Sequence, residues 1–166
     1  MNFVFLSPHF PTNYYQFAVA LKKHGVTVLG LADEMYDSLR PELKASMTEY
    51  YRVGSMHNYD ELLRALGCFT HRYGKLDRID SHNEYWLETE ARLRTDFNIP
   101  GIRSDQIDRV KRKSRMRDAF IKARIKVARG GIVNDLKDAL QLVQNGIPAG
   151  GKTRYRCRSS GHLQDP

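Results

Sequence analysis

The sequence predicts an α/β fold built on a parallel sheet. Three observations carry that expectation. Short apolar runs recur along the first hundred or so residues, amphipathic stretches separate them, and a glycine or a helix-capping residue marks several of the joins. A strand–helix–strand order demands a right-handed crossover, and repeated crossovers give parallel strands. Ligands of such sheets collect at the carboxyl ends of the strands.

The elements follow in order. Phe3–Leu6 is an apolar run stopped by Ser7-Pro8 and reads as a buried strand. Asn13–His24 places Tyr14, Phe17, Ala18 and Leu21 on one helical face and closes on Gly25. Val26–Leu31 is a second strand, Leu39–Met47 a short helix behind Ser38, and Glu49–Val53 a third strand. Asn58 caps a helix bearing Tyr59, Leu62, Leu63, Leu66 and Phe69, which ends near Gly74. Leu76–Asp80 is a fourth strand and Glu84–Phe97 a further helix. The carboxyl ends are then Ser7-Pro8-His9, Ala32-Asp33, Val53-Gly54 and Ser81-His82-Asn83-Glu84.

Beyond Pro100-Gly101 the pattern changes. A short helix starts at Ser104, and a basic helix runs from about Lys111 to Arg124. Val127–Val133 reads as a strand broken by Gly130-Gly131, and Asp135–Asn145 as an amphipathic helix carrying Leu136, Ala139, Leu140 and Val143. Gly146-Ile147-Pro148 should open another strand, but the chain there turns polar and basic.

Composition narrows the classes. With 166 residues, 41% hydrophobic and 28% charged, the chain is globular and long enough for a sizeable core. No apolar run approaches the roughly 18 residues that a membrane span needs. The apolar start Met1–Leu6 lacks a basic flank and meets Ser7-Pro8, against a signal peptide. Two cysteines, Cys68 and Cys157, without metal-ligand spacing fit a reduced, cytoplasmic protein.

The net charge of +8 is unevenly spread. Residues 1–108 hold 12 Lys and Arg against 15 Asp and Glu, whereas residues 109–129 hold ten basic side chains against Asp118 alone. A mildly acidic domain therefore precedes one basic helix. Such a patch can bind phosphate of any kind.

Several constellations could carry chemistry. Gly146–Thr153 satisfies the P-loop pattern, which needs a strand before it and a helix after it to aim backbone amides at phosphate. A helix leads in and Arg154–Pro166 shows no apolar face, so the match is a decoy. Lys111, Arg112, Lys113, Arg115 and Arg117 crowd a helix start, against the dipole preference for acids there. They form either a solvated face or a polyphosphate site. Asn83 and Glu84 put an amide and an acid at the end of the fourth strand. Glu84 could hold an amine or a ribose hydroxyl, yet capping by Asn83 with an acid in the first turn explains the same residues. His9, His24, His57, His71 and His162 are scattered and read as surface histidines, while Cys68 falls on the apolar side of its helix and reads as core.

The order of these segments resembles the ATP-grasp superfamily, which includes biotin carboxylase and carbamoyl-phosphate synthase. The likeness rests on an acidic parallel α/β domain leading through Asn98-Ile99-Pro100-Gly101 to a basic helix. Ala123–Gly130, Asp135–Ala139 and Gly146-Ile147-Pro148 then follow. The resemblance covers roughly residues 1–148. It implies a Rossmann-like pre-ATP-grasp domain over residues 1–100 and the incomplete beginning of an ATP-grasp domain over 101–148; the composition of residues 149–166 offers little to bury and predicts a basic, disordered tail. It implies ATP-dependent carboxylate–amine or carboxylate–thiol ligation, with ATP and Mg²⁺ in complete relatives and a nucleotide as small-molecule partner. Lys113 best matches the family's phosphate-binding basic residue in this first helix, and Ser7, Asn83 and Glu84 would border the substrate crevice. The sequence departs from the pattern at Arg124, where the family's Ala-Gly-Val-Pro turn has glycine, and after Lys152, where no proline follows. The family's metal-binding Glu and Asn lie in a region with no counterpart here, so a fragment of this extent is expected to bind neither Mg²⁺ nor ATP well and to be inactive.

The tail offers its own account. With the frame shifted by one base, codons permitted for Ala149–Asp165 allow PVAKPDIGVGAAGTYKI, the form of an ATP-grasp lid strand and glycine loop. A non-enzymatic module binding phosphate or nucleic acid through residues 109–129 is the alternative. Phe120 alone interrupts that patch, which disfavours nucleic acid. A flavodoxin-like or receiver-like signalling domain would explain the first hundred residues and leave the rest idle.

Overall fold

The computed structural model describes residues 1–128 and 133–144, which fall into two compact units divided between Ile107 and Asp108. The first unit runs β1 (Asn2–Leu6), α1 (Tyr15–Lys23), β2 (Thr27–Ala32), α2 (Pro41–Ser46), β3 (Glu49–Arg52), α3 (Tyr59–Tyr73), β4 (Arg78–Asp80) and α4 (Leu87–Asp96). All strands pair in parallel in the order β3-β2-β1-β4. The expected parallel α/β fold is therefore present, with each predicted strand and helix of this region in place.

Alternation along β1 divides the core in two. Phe3 and Phe5 pack with Ala18 of α1 and Leu43 of α2 on one face of the sheet. Val4 and Leu6 pack with Leu62, Leu66 and Phe69 of α3 and Leu93 of α4 on the other. Val4, Phe5 and Leu6 are wholly buried, as a strand covered on both faces must be. The chain steps from β1 through β2 to β3 in one direction, then returns across the sheet to β4. Right-handed crossovers put helices of opposite steps on opposite faces. Asn58 caps α3 as its sequence predicts, its side chain accepting from Glu61 N. The face of α1 is only partly inward: Ala18 is buried, but Phe17 is exposed. Cys68, expected in the core, is half-buried.

The second unit holds α5 (Ile107–Lys111, its first residue at the division), α6 (Lys113–Lys122) and α7 (Leu136–Gln144). The single basic helix expected over Lys111–Arg124 is broken at Arg112, whose backbone is extended at φ −91° and ψ 112°. A continuous helix would stack Arg109 on Lys113 and Lys111 on Arg115 at like-charge i,i+4 spacing, which is unfavourable. Of the strand expected over Val127–Val133, residues Val127, Ala128 and Val133 lie in no strand, and 129–132 fall outside the described residues. The P-loop-like segment, the strand expected at Gly146-Ile147-Pro148 and the tail 149–166 also fall outside them.

Arg124 sits in the left-handed region at φ 59°. Its N–H bonds Ile121 O at 2.9 Å and the N–H of Ile125 bonds Phe120 O at 2.9 Å, a Schellman close to α6. Glycine suits such a position because a Cβ in left-handed backbone is strained. The departure from the family's glycine thus falls where the backbone favours one. Arg124→Gly is expected to stabilise α6 by about 0.5–1 kcal/mol, strain relief less the added flexibility of glycine in the unfolded chain. Slower amide exchange in α6 is the readout, and unchanged or faster exchange would count against the strain.

Candidate functional site

The crossover reversal creates a crevice. The loop after β1 runs to α1 on one face and the loop after β4 runs to α4 on the other, so the two part above adjacent strands. Such switch points are where open α/β sheets hold ligands. Two non-glycine residues with left-handed backbone stand there, Ser7 at φ 49° after β1 and His82 at φ 55° after β4. Strained backbone of this kind clusters at functional sites, which makes these two strand ends a candidate site.

Ser7, Asn83 and Glu84 all lie at this carboxyl edge. Ser7 is buried, its N–H donates to Leu31 O at 2.8 Å, and its carbonyl accepts from Phe10 N at 3.1 Å. Asn83 caps the turn Glu84–Trp86, its Oδ1 accepting from Tyr85 N at 3.0 Å. The capping role foreseen for Asn83 is thus met, and it leaves Glu84 exposed in the first turn. Lys113 belongs to the second unit, exposed at the first position of α6, where the first turn holds no acid. Arg112 beside it pairs with Asp108 at 2.8 Å.

The histidines divide in ways that spacing did not show. His82 is held in an aromatic cage: Phe17 stacks on it at 4.2 Å between ring centroids, Phe5 meets it edge-on at 5.3 Å, and Asp80 Oδ1 lies 3.6 Å from its Nδ1. The exposed Phe17 therefore packs on His82, which is itself exposed. His57, from the loop after β3, contacts Tyr85 and Trp86 from the loop after β4, so these two loops meet on the α3–α4 side. His9 carries a buried Nδ1 with no hydrogen-bond partner.

Beneath the β4 loop lies a buried ion pair that sequence reasoning passed over. Glu90 is 1% exposed, and its Oε2 receives Arg94 Nη2 at 2.9 Å. Its Oε1 accepts from Ser81 N at 2.8 Å and from Ser81 Oγ. Burial pushes the Glu90 carboxyl above its ordinary range, with the Ser81 hydrogen bond and Arg94 opposing that rise. Arg94 Nη2 also donates to Ile79 O at 2.6 Å, so the guanidinium covers a carbonyl on the side of β4 that no strand pairs among the described residues. A groove of about 350 Å³ lined by Asp80, Glu90, Arg94, Gly101 and Ile102 borders this pair. Leu87, Ala91 and Arg94 share one helical face, and an arginine continuing an apolar stripe was the available signal. Among the described residues no cluster of His, Cys, Asp or Glu could hold a metal ion, and no helix is long and apolar enough to cross a membrane.

No protein-family model and no curated protein matches the sequence. Solved structures do match the fold. Phosphoribosylglycinamide synthetase from Anaerococcus prevotii aligns with 87% of this chain at 16% identity and a TM-score of 0.61, over 34% of its own length. The biotin carboxylase domain of Hydrogenobacter thermophilus 2-oxoglutarate carboxylase, solved with MgADP, ADP and bicarbonate, aligns with 86% at 19% identity and a TM-score of 0.60, over 32% of its length. The L-amino acid ligase from Bacillus licheniformis aligns with 87% at 13% identity and a TM-score of 0.55, over 41% of its length. All three are ATP-grasp proteins, and the match is to their N-terminal part. At these identities the likeness is one of fold, and the chain spans about a third to two fifths of the structures it matches.

The buried pair yields a direct expectation. Arg94→Ala leaves Glu90 buried without its counter-charge and should cost about 3–5 kcal/mol. Glu42→Ala, which breaks the exposed Arg40–Glu42 contact of 3.3 Å, should cost less than about 1 kcal/mol. Urea denaturation compares them, and equal losses would contradict the buried role.

Proposed function

We propose that this chain is the N-terminal part of an ATP-grasp ligase, in which complete relatives join a carboxylate to an amine or thiol at the expense of ATP. The observation that carries the reading is a four-stranded parallel domain of ATP-grasp N-terminal type followed in sequence by a helix whose first turn is cationic and free of acids. Residues 1–100 serve as the pre-ATP-grasp domain and residues 101–148 begin the ATP-grasp domain. Leu136, Leu140 and Val143 are exposed among the described residues and form an apolar face of α7.

The residues present fit a nucleotide's phosphates better than its metal. Lys113 would hold a phosphate by charge and by hydrogen bonding, next to helix N–H groups that favour anions. Ser7, Asn83 and Glu84 would border the substrate. The described residues offer no set to hold Mg²⁺, so no metal-dependent step is assigned to them. The tail 149–166 is read as the product of a one-base frame change, and the chain as it stands is expected to be inactive, to bind ATP weakly, and to reside in the cytoplasm.

The test is a protein with the shifted frame restored and its downstream sequence included. Calorimetry should give Mg²⁺-dependent ATP binding that Lys113→Ala weakens by about 1.5–3 kcal/mol, the range for a charged hydrogen bond. Arg117→Ala and Lys122→Ala, farther along α6, should do much less. Equal losses at the three positions, or no ATP binding, would refute the assignment. Tight, salt-sensitive RNA or DNA binding by the short chain would favour the nucleic-acid module instead.

A further inference from the structure

We propose that Arg94 is a positioning residue that ties the crevice turn Ser81–Glu84 to the Pro100–Ile102 strap, so that the two hold their places together. The inference rests on the crevice being the substrate site. Its geometry stands on the first compact unit alone.

Four groups converge on this guanidinium. Arg94 Nη2 donates to Glu90 Oε2 at 2.9 Å and to Ile79 O at 2.6 Å, and it lies 3.7 Å from Asp80 Oδ2. Arg94 Nη1 reaches Ile102 O at 3.4 Å. Two relays lead from it to the turn. Glu90 Oε1 accepts from both Ser81 N and Ser81 Oγ, and that hydroxyl, having given its one hydrogen to Glu90, accepts from Asn83 N at 3.1 Å. Asp80 Oδ1 accepts from His82 N at 2.7 Å, beside the left-handed His82 backbone. The backbone N–H groups of three consecutive turn residues are thus held, those of Ser81 and His82 by two carboxylates that face one arginine and that of Asn83 by the Ser81 hydroxyl.

The strap is held as closely. Gly101 has φ 138°, and a Cβ there would stand 2.9 Å from Arg94 Cδ, so the backbone crosses the arginine stem with no room for a side chain. Ile99, wholly buried, anchors the strap's start, with its N–H on Arg94 O at 2.9 Å. A planar fork can serve the turn and the strap at once, which a lysine ammonium on its flexible stem does not reproduce. A shift of the strap would therefore move the donor that orders both carboxylates, and with them the residues that face a ligand.

Amide hydrogen exchange on this chain tests the link without nucleotide or downstream sequence, so it can fail while the ligase reading stands, and the reverse. In Arg94→Lys, the amides of Ser81, His82 and Asn83, and that of buried Ile99 at the start of the strap, should exchange at least about tenfold faster while those of Val4 and Leu29 keep their protection, as a local opening requires. Ser81→Ala, which removes only the hydroxyl relay, should speed Asn83 and leave Ile99 unchanged. Uniform loss of protection in Arg94→Lys would reduce the residue to a stability role. Loss at the turn without loss at Ile99, or no change, would break the proposed link. If Arg94→Lys does not fold, Ser81→Ala decides: a change at Ile99 as large as at Asn83, or none at Asn83, overturns the proposal.

Discussion

Strand β1 pairs in parallel with β2 on one side and β4 on the other, and that placement constrains what surrounds it. A parallel neighbour cannot be reached by a tight turn, so each connection has to travel over a face of the sheet. Steps taken in opposite directions from β1 fall on opposite faces, giving α1 and α2 to one and α3 and α4 to the other. The loops after β1 and β4 must therefore diverge. The crevice is a consequence of connectivity before it is a feature of any side chain.

Connectivity leaves β4 as an edge strand of only three residues, and the chain closes that edge with charge. Arg94 takes the outward carbonyl of Ile79 and Glu90 takes the outward N–H of Ser81, the groups a further strand would have paired. Burying an ion pair gains little stability in itself, because desolvation offsets the attraction. What it supplies here is definition: the last residue of β4 and the turn beyond it are fixed by named hydrogen bonds, and His82 is kept in left-handed backbone within its aromatic cage.

Much of this was legible in the sequence, and the limits have physical causes. Apolar runs such as Phe3–Leu6 marked the strands because both faces are covered, and Asn58 marked a helix start because its side chain has one local task. The carboxyl-edge residues followed from topology. Glu90 and Arg94 were hidden because α4 carries Glu88, Glu90, Arg92 and Arg94 within seven residues, and charge alone does not say which face turns inward. His82 escaped because its cage is built by α1 and β1, distant in sequence. The break at Arg112 lies inside a run of basic residues that, counted by charge alone, reads as one uninterrupted helix.

The functional account joins two features of different kind: a domain fold shared with the N-terminal parts of ATP-grasp proteins, and a cationic helix start that follows it in sequence. Neither alone names a reaction, since folds host many chemistries. Their order along one chain is what supports the ligase proposal. The gene's DNA across the codons for Pro148–Pro166 and beyond tests this most directly. The account predicts that the frame shifted by one base stays open, encodes the lysine–proline strand and glycine loop, and continues to a Glu and Asn able to bind Mg²⁺. Stop codons early in that frame, together with mass-spectrometric detection of the Ala149–Pro166 sequence in the natural protein, would contradict it.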